Sequence, residues 1–251
     1  MKFFATVCLC IFIHTVVGQE NGECKMTEKD FDDCTSLITT FGNRNIIIPS
    51  NDEELNTLCN NTFTALSCVR KYTRTCMGSF ARTVTGIFSY DIKRILKKRC
   101  RDPEGRKEFL KHIRCGLPKE RLEPLHKCMD NYVAQLQWSL DNVKKEDLVP
   151  TLCCTLHQTH QCFRTQASML CDSVTGPETT KYFDQVMAHA IGEGVEYTCG
   201  VFKDLDSCNT SMKKEIWQPL YEIGKDAVKA GYTSKFSSPF TLAVKIFSKL
   251  N

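Results

Sequence analysis

The sequence predicts an all-α fold: a disulfide-stapled helical domain of two duplicated six-cysteine units followed by a C-terminal helical extension. Three observations predict it. Cysteines recur with a repeated spacing, apolar residues recur at helical intervals, and alternating strand-like runs are nearly absent. Cys24, Cys34, Cys59, Cys68, Cys76 and Cys100 have 9, 24, 8, 7 and 23 residues between them. Cys115, Cys128, Cys153, Cys162, Cys171 and Cys199 have 12, 24, 8, 8 and 27. Spacing that repeats in this way is the mark of a duplicated module. Aligning the cysteines brings Thr57-Leu58-Cys59 onto Thr151-Leu152-Cys153, and Cys68-Val69-Arg70 onto Cys162-Phe163-Arg164. Phe80 and Val84 fall loosely on Phe183 and Val186.

Residues 1–18 read as a signal peptide: Lys2, then an apolar run from Phe3 to Val17, with Val16 and Gly18 suited to cleavage after Gly18. The run is shorter than the roughly 20 residues of a membrane-spanning helix. Cys8 and Cys10 leave with it, so fourteen of the sixteen cysteines remain. An even count in an oxidising compartment reads as seven disulfides. The expected location is therefore secreted and extracellular, without a transmembrane span. Asn60-Asn61-Thr62 and Asn209-Thr210-Ser211 are N-glycosylation sequons, which marks Asn60 and Asn209 for glycans.

The first unit is placed at 19–100, the second at 101–208 and the extension at 209–251. Arg101-Asp102-Pro103-Glu104-Gly105 punctuates the chain between the units. In the first unit, Ile87, Ile92, Ile95 and Leu96 are interleaved with basic residues. In the second, Leu122, Leu125, Met129, Tyr132, Val133, Leu136 and Leu140 step by threes and fours. Tyr182, Phe183, Val186, Met187, Ala190 and Ile191 do the same. Ile216, Leu220, Ile223, Ala227 and Val228 form a further stripe, with Pro219 near its start. Phe240, Ala243, Val244, Phe247 and Leu250 form the last, opened by Ser238-Pro239. With Lys235, Lys245 and Lys249 nearby, this segment reads as a helix docked on the core; lying on a membrane surface is the alternative. Ile46-Ile47-Ile48 before Pro49 is the one strand candidate.

Geometry limits the staples. Cys59 and Cys68 on one helix would stand about 13.5 Å apart on opposite faces. A disulfide needs Cα atoms within about 7 Å. They therefore cannot pair with each other, nor can Cys153 and Cys162; a middle helix bonded to flanking helices on different sides satisfies both. Six cysteines still allow fifteen connectivities. Cys154 and Cys208 stand outside the repeat and are expected to bond each other.

The net charge is only +4, but twelve Lys or Arg and four Asp or Glu fall between Lys93 and Arg121. On a helix, Arg94, Lys97, Lys98 and Arg101 form one positive stripe. Such a stripe suits an anionic glycan or lipid surface; the alternative is a solvated face. A nucleic-acid partner is not expected for a secreted protein.

Catalytic signatures are sparse. Cys153-Cys154-Thr155-Leu156-His157 resembles the Cys-Cys-x-x-His core of secreted phospholipases A2. That family places an aspartate after the histidine to hold calcium, and here the residue is Gln158. No glycine-rich calcium loop precedes the motif, and the next cysteine arrives only at Cys162. His157 and His160, with the nearby cysteines, have metal-ligand types, but an oxidising compartment removes the thiolates. No Gly-x-Ser-x-Gly or phosphate-binding loop is present. No catalytic residue, metal ligand or cofactor is therefore assigned.

Signal peptide, length, helical rhythm and the run Cys68-Val69-Arg70-Lys71-Tyr72-Thr73-x-x-Cys76 together resemble the arthropod hemolymph glycoproteins of 27 kDa type. Nematode secreted helical domains have a similar cysteine rhythm. The hemolymph resemblance implies an extracellular body-fluid protein and no catalytic residues. The expected function is a non-enzymatic binding or carrier role in extracellular fluid. A carrier of a lipid or small apolar ligand, held between helices, is one alternative; a secreted hydrolase of unrecognised type is the other.

Overall fold

The computed structural model describes residues 24–250, with the backbone alone over 190–197. The signal-peptide expectation, Cys8 and Cys10 lie outside the described residues. Within them the chain forms ten α-helices and no strand. The first unit supplies α1 (Glu28–Ser36), α2 (Asp52–Cys76) and α3 (Ser79–Arg101). The second supplies α4 (Pro103–Ile113), α5 (Glu123–Asn142), α6 (Leu148–Thr175), α7 (Glu178–Cys199) and α8 (Leu205–Ser211). The extension supplies α9 (Lys214–Lys225) and α10 (Pro239–Leu250). Short 3-10 turns join α4 to α5 and α5 to α6.

Local chemistry accounts for the helix starts. Thr27 caps α1 in a capping box with Asp30, and Asp204 caps α8 in one with Ser207. Asn51 accepts from the amides of Glu53 and Glu54 at the head of α2, where three acidic residues meet the positive end of the helix dipole. The Arg101–Gly105 punctuation is a corner between helices. Asp102 ends α3 and caps α4 by accepting from Gly105 N at 2.7 Å, and Pro103 opens α4. Gly105 is required there, because a Cβ would lie 2.4 Å from the Lys98 carbonyl oxygen.

All fourteen described cysteines are paired, and both units use one connectivity. In the first, Cys24–Cys76, Cys34–Cys68 and Cys59–Cys100 join first to fifth, second to fourth and third to sixth. In the second, Cys115–Cys171, Cys128–Cys162 and Cys153–Cys199 repeat that order. The second-to-fourth bridge spans 34 residues in each unit. Helices α1, α2 and α3 thus correspond to α5, α6 and α7. Each long middle helix is stapled to the helices before and after it, as the opposed faces of its cysteines require. Cys154 bonds Cys208, which fixes α8 to α6.

The units are not separate bodies. One buried cluster takes Leu55, Leu58, Cys59 and Cys100 from the first and Phe109, Ile113, Leu125 and Phe163 from the second. α10 docks on α5, α3 and α1, burying Leu242, Val244, Ile246 and Phe247. Asp32 of α1 holds its approach: its carboxylate accepts from Ser237 N, Ser237 Oγ and Ser238 N at 2.9, 2.7 and 3.0 Å. Lys245 pairs with Glu28.

Two sequence expectations are corrected. Ile46–Ile48 is irregular chain rather than a strand. Ile48 is buried in the core, Ile46 packs against the same cluster and Ile47 is exposed, and no described strand lies beside the segment to pair with it. The Ile216 stripe ends at Lys225 instead of running through Val228, which is exposed. Asn131 of α5 ends that helix. Its amide donates to the Gly224 and Lys225 carbonyls, and its Oδ1 accepts from Ala227 N. Next to it, Gln135 Nε2 donates to Gln158 Oε1 and the Leu220 carbonyl, and Gln158 Nε2 donates to the Tyr221 carbonyl. The network leaves no room at Gly224, where a Cβ would lie 2.4 Å from Gln158 Oε1 and 2.5 Å from Gln135 Nε2. Gly224→Ala is therefore expected to lower stability by about 1–3 kcal/mol despite its better helix propensity. Urea unfolding measures it; an unchanged midpoint would show that both glutamines can move aside.

Candidate ligand cavity

α3 carries an apolar stripe with helical spacing: Phe80, Val84, Phe88, Ile92 and Ile95. In a well-packed bundle such a stripe meets a neighbouring helix. Here α3 packs on α2, α4, α7 and α10. Phe88 stacks on Phe247 of α10, and the same inner face also lines a cavity of about 580 Å³ that reaches across to α6. Leu152, Leu156 and Phe163 of α6, Phe183 and Val186 of α7, and Ala243 and Phe247 of α10 complete much of the wall. The cavity thus lies where the two units and the extension meet. Its walls include α3 and α7, the third helices of the two units, and each is stapled at its C-terminal end to its own middle helix.

Its size and lining fall within the range of small-molecule sites. Small-molecule sites occupy about 300–1,000 Å³ and are mostly apolar with a few placed polar groups. The volume is roughly four times that of a 150 Å³ apolar cavity able to hold benzene. Phe80 and Ile87 line it and remain 42% and 54% accessible, an apolar surface that side chains do not cover.

Few polar groups face this space. Asp184 lies 3.3 Å from His160 Nε2 and 3.3 Å from Arg164 Nε. Asp91 lies 3.7 Å from Arg94. Thr85 Oγ1 is buried without a partner. Arg99 lines the wall with its Nε buried and unpartnered, its guanidinium 4.6 Å above the Phe109 ring. Burial pulls its pKa down to about 10, which leaves it charged at neutral pH. Tyr182 also lines the wall and stacks on His112 at 4.6 Å; burial pushes its phenol up to about 12.

His112 links the cavity wall to stability. Its Nδ1 bonds Thr179 Oγ1 at 2.7 Å, and burial, with Lys111 beside it, holds its pKa below 6.5. His126 accepts the Gly42 amide on Nδ1 at 2.9 Å, and its pKa is also lowered, first by burial and then by Arg44. Below about pH 6.5 the unfolded chain takes up protons that the folded chain resists, so stability falls as the pH drops. Melting temperature is expected to decline from pH 7 to pH 5, with a shallower decline in His126→Gln. Equal slopes for the two proteins would remove His126 from the account.

Of the residues singled out in the sequence as candidates for chemistry or binding, Cys153, Leu156 and His160 line the cavity and most others lie elsewhere. Arg94, Lys97, Lys98 and Arg101 are exposed on the outer face of α3. Lys98 lies 3.5 Å from Glu108, and Arg101 stacks over Phe63 at 5.1 Å. Asn60 is exposed on α2 and Asn209 on α8, where Asn209 Oδ1 accepts from Trp217 Nε1 at 2.8 Å. In the phospholipase-like motif, Cys153 and Cys154 are oxidised, His157 Nε2 bonds the Phe202 carbonyl, and Gln158 serves the α9 network. Among the described residues no cluster of His, Cys, Asp or Glu is arranged to hold a metal, and no helix is long and apolar enough to cross a membrane. A second concavity, between α6 and α7, is an open surface groove in which Asp172 accepts from Ser168 and Thr180.

Neither Arg99 nor Tyr182 stands out in the sequence as a site residue. Arg99 sits inside the basic run, yet it continues the stripe Ile92, Ile95, Leu96 at helical spacing. A cation in an apolar register was the available signal. No family model, curated protein or solved structure matches the chain.

Proposed function

We propose that the protein is a secreted, non-enzymatic carrier that holds a lipid or other small apolar molecule in the cavity between its units. The observation that carries this reading is the cavity: about 580 Å³ of apolar-lined space enclosed by helices that seven disulfides hold in place. A core evolved only for stability packs without such voids, because the lining loses its dispersion contacts. The disulfides suit an oxidising, extracellular setting. The exposed Asn60 and Asn209 suit N-glycans, which would leave the cavity wall untouched. Hemolymph-type body fluid is a setting in which apolar molecules need such a carrier.

Titration with a neutral, polarity-sensitive apolar fluorophore tests the reading. One saturable site, with emission shifted to the blue and displaced by a long-chain fatty alcohol, is the expected result. A linear, non-saturating response with no displacement would overturn it.

A further inference from the structure

The cavity holds one charge that no described residue balances. Of the charged side chains on the lining, Asp184 stands beside His160 and Arg164, and Asp91 beside Arg94. Arg99 has no carboxylate partner among the described residues, and its buried Nε donates to nothing. The Phe109 ring beneath it orients the guanidinium and leaves its donors free. A desolvated, unpaired cation is costly in a folded protein unless something completes it. Close by, the Tyr182 hydroxyl makes no hydrogen bond to a described residue. The ring is held by its stack on His112 and an edge contact with Phe183 at 5.6 Å. Protonated at neutral pH, it offers a donor next to the cation.

From this point the lining runs back along α3 to Phe80, about 28 Å of helix axis at 1.5 Å per residue. Over that distance α3 lines the space mostly with aliphatic and aromatic side chains, interrupted by Thr85, Ser89 and Asp91. A cation and a phenol near one end of a mainly apolar cavity match an anion with a long hydrocarbon tail. The guanidinium fork fits a planar carboxylate with two parallel hydrogen bonds.

We propose that Arg99, with Tyr182, anchors the carboxylate of a long-chain free fatty acid whose tail fills the cavity. The inference rests on the carrier reading and names the ligand class for the same site. Arg99 makes no ion pair with a described residue and packs on the Phe109 ring, so its loss has a distinctive pattern. Arg99→Met removes a desolvated charge from an apolar wall and keeps much of the stem. The empty variant is expected to unfold at the same temperature as the native protein or higher.

The test is calorimetric titration of the full, disulfide-bonded protein with palmitic acid, hexadecanol and hexadecyl phosphate, for native, Arg99→Met and Arg99→Lys chains. The native protein is expected to prefer palmitic acid to hexadecanol by at least tenfold. Arg99→Met should lose that preference, weakening palmitic acid binding at least tenfold more than hexadecanol binding, and Arg99→Lys should recover part of it. If palmitic acid and hexadecanol bind equally to the native protein, the anchor is wrong while the carrier reading stands. Tighter binding of the alkyl phosphate than of the acid would overturn the carboxylate assignment. If none of the three binds, the carrier reading fails with it.

Discussion

Filling the cavity with Ala243→Phe and Leu156→Trp is expected to move stability and ligand binding in opposite directions. Both residues line the open space from facing helices, α10 and α6, and both are only half-buried. Larger side chains there have volume to occupy and need not displace packed neighbours. Enlarging a side chain in a packed core costs about 1–3 kcal/mol. Filling an existing void instead commonly adds about 0.5–2 kcal/mol. The double variant should therefore melt at or above the native temperature and bind the apolar fluorophore at least tenfold more weakly. A variant that melts lower would show that the space at these positions is already filled.

Removing the Cys59–Cys100 bridge by paired alanine substitution is expected to lower stability by about 4 kcal/mol, from the entropy of a loop of this length. The bridge spans 41 residues and ties the C-terminal end of α3 to the N-terminal third of α2. Arg99 is the neighbouring residue, so the loss should also loosen the cavity wall at the proposed anchor. Denaturant unfolding under non-reducing conditions measures the first effect, and fatty-acid affinity the second. A small stability loss with unchanged affinity would mean that packing of α3 on α2, α4, α7 and α10 holds the wall without the staple.

Much of the architecture was legible because cysteine spacing and helical periodicity are one-dimensional records of three-dimensional order. The interval of 24 residues between the second and third cysteines recurs in both units and marks α1 with α2, and α5 with α6, as equivalent pairs. The pairing of Cys154 with Cys208 followed from their exclusion from the repeat. The connectivity within each unit did not follow, since the face that a cysteine presents says nothing of which flanking helix lies there. The Ile46–Ile48 triplet shows a different limit. β-branched residues favour a pleated surface, but a strand exists only where a partner strand does.

The cavity was hidden for a physical reason. Phe88, Ile92 and Ile95 repeat with helical spacing whether they meet a neighbouring helix or a void. Periodicity reports which face turns inward, and the volume left behind depends on how far the staples let α3 approach α6. The same limit concealed Arg99. Grouped by charge it joins Lys97, Lys98 and Arg101, while grouped by register it joins Ile92 and Ile95. Only the second grouping describes where its side chain lies.

The most direct test of the carrier account is the native mass of protein purified from its natural source, before and after denaturation. The account predicts a discrete small-molecule adduct that denaturation releases, with a fatty acid as the released species. A deglycosylated native mass equal to that of the disulfide-bonded chain, unchanged after incubation with palmitic acid or hexadecanol, would contradict it.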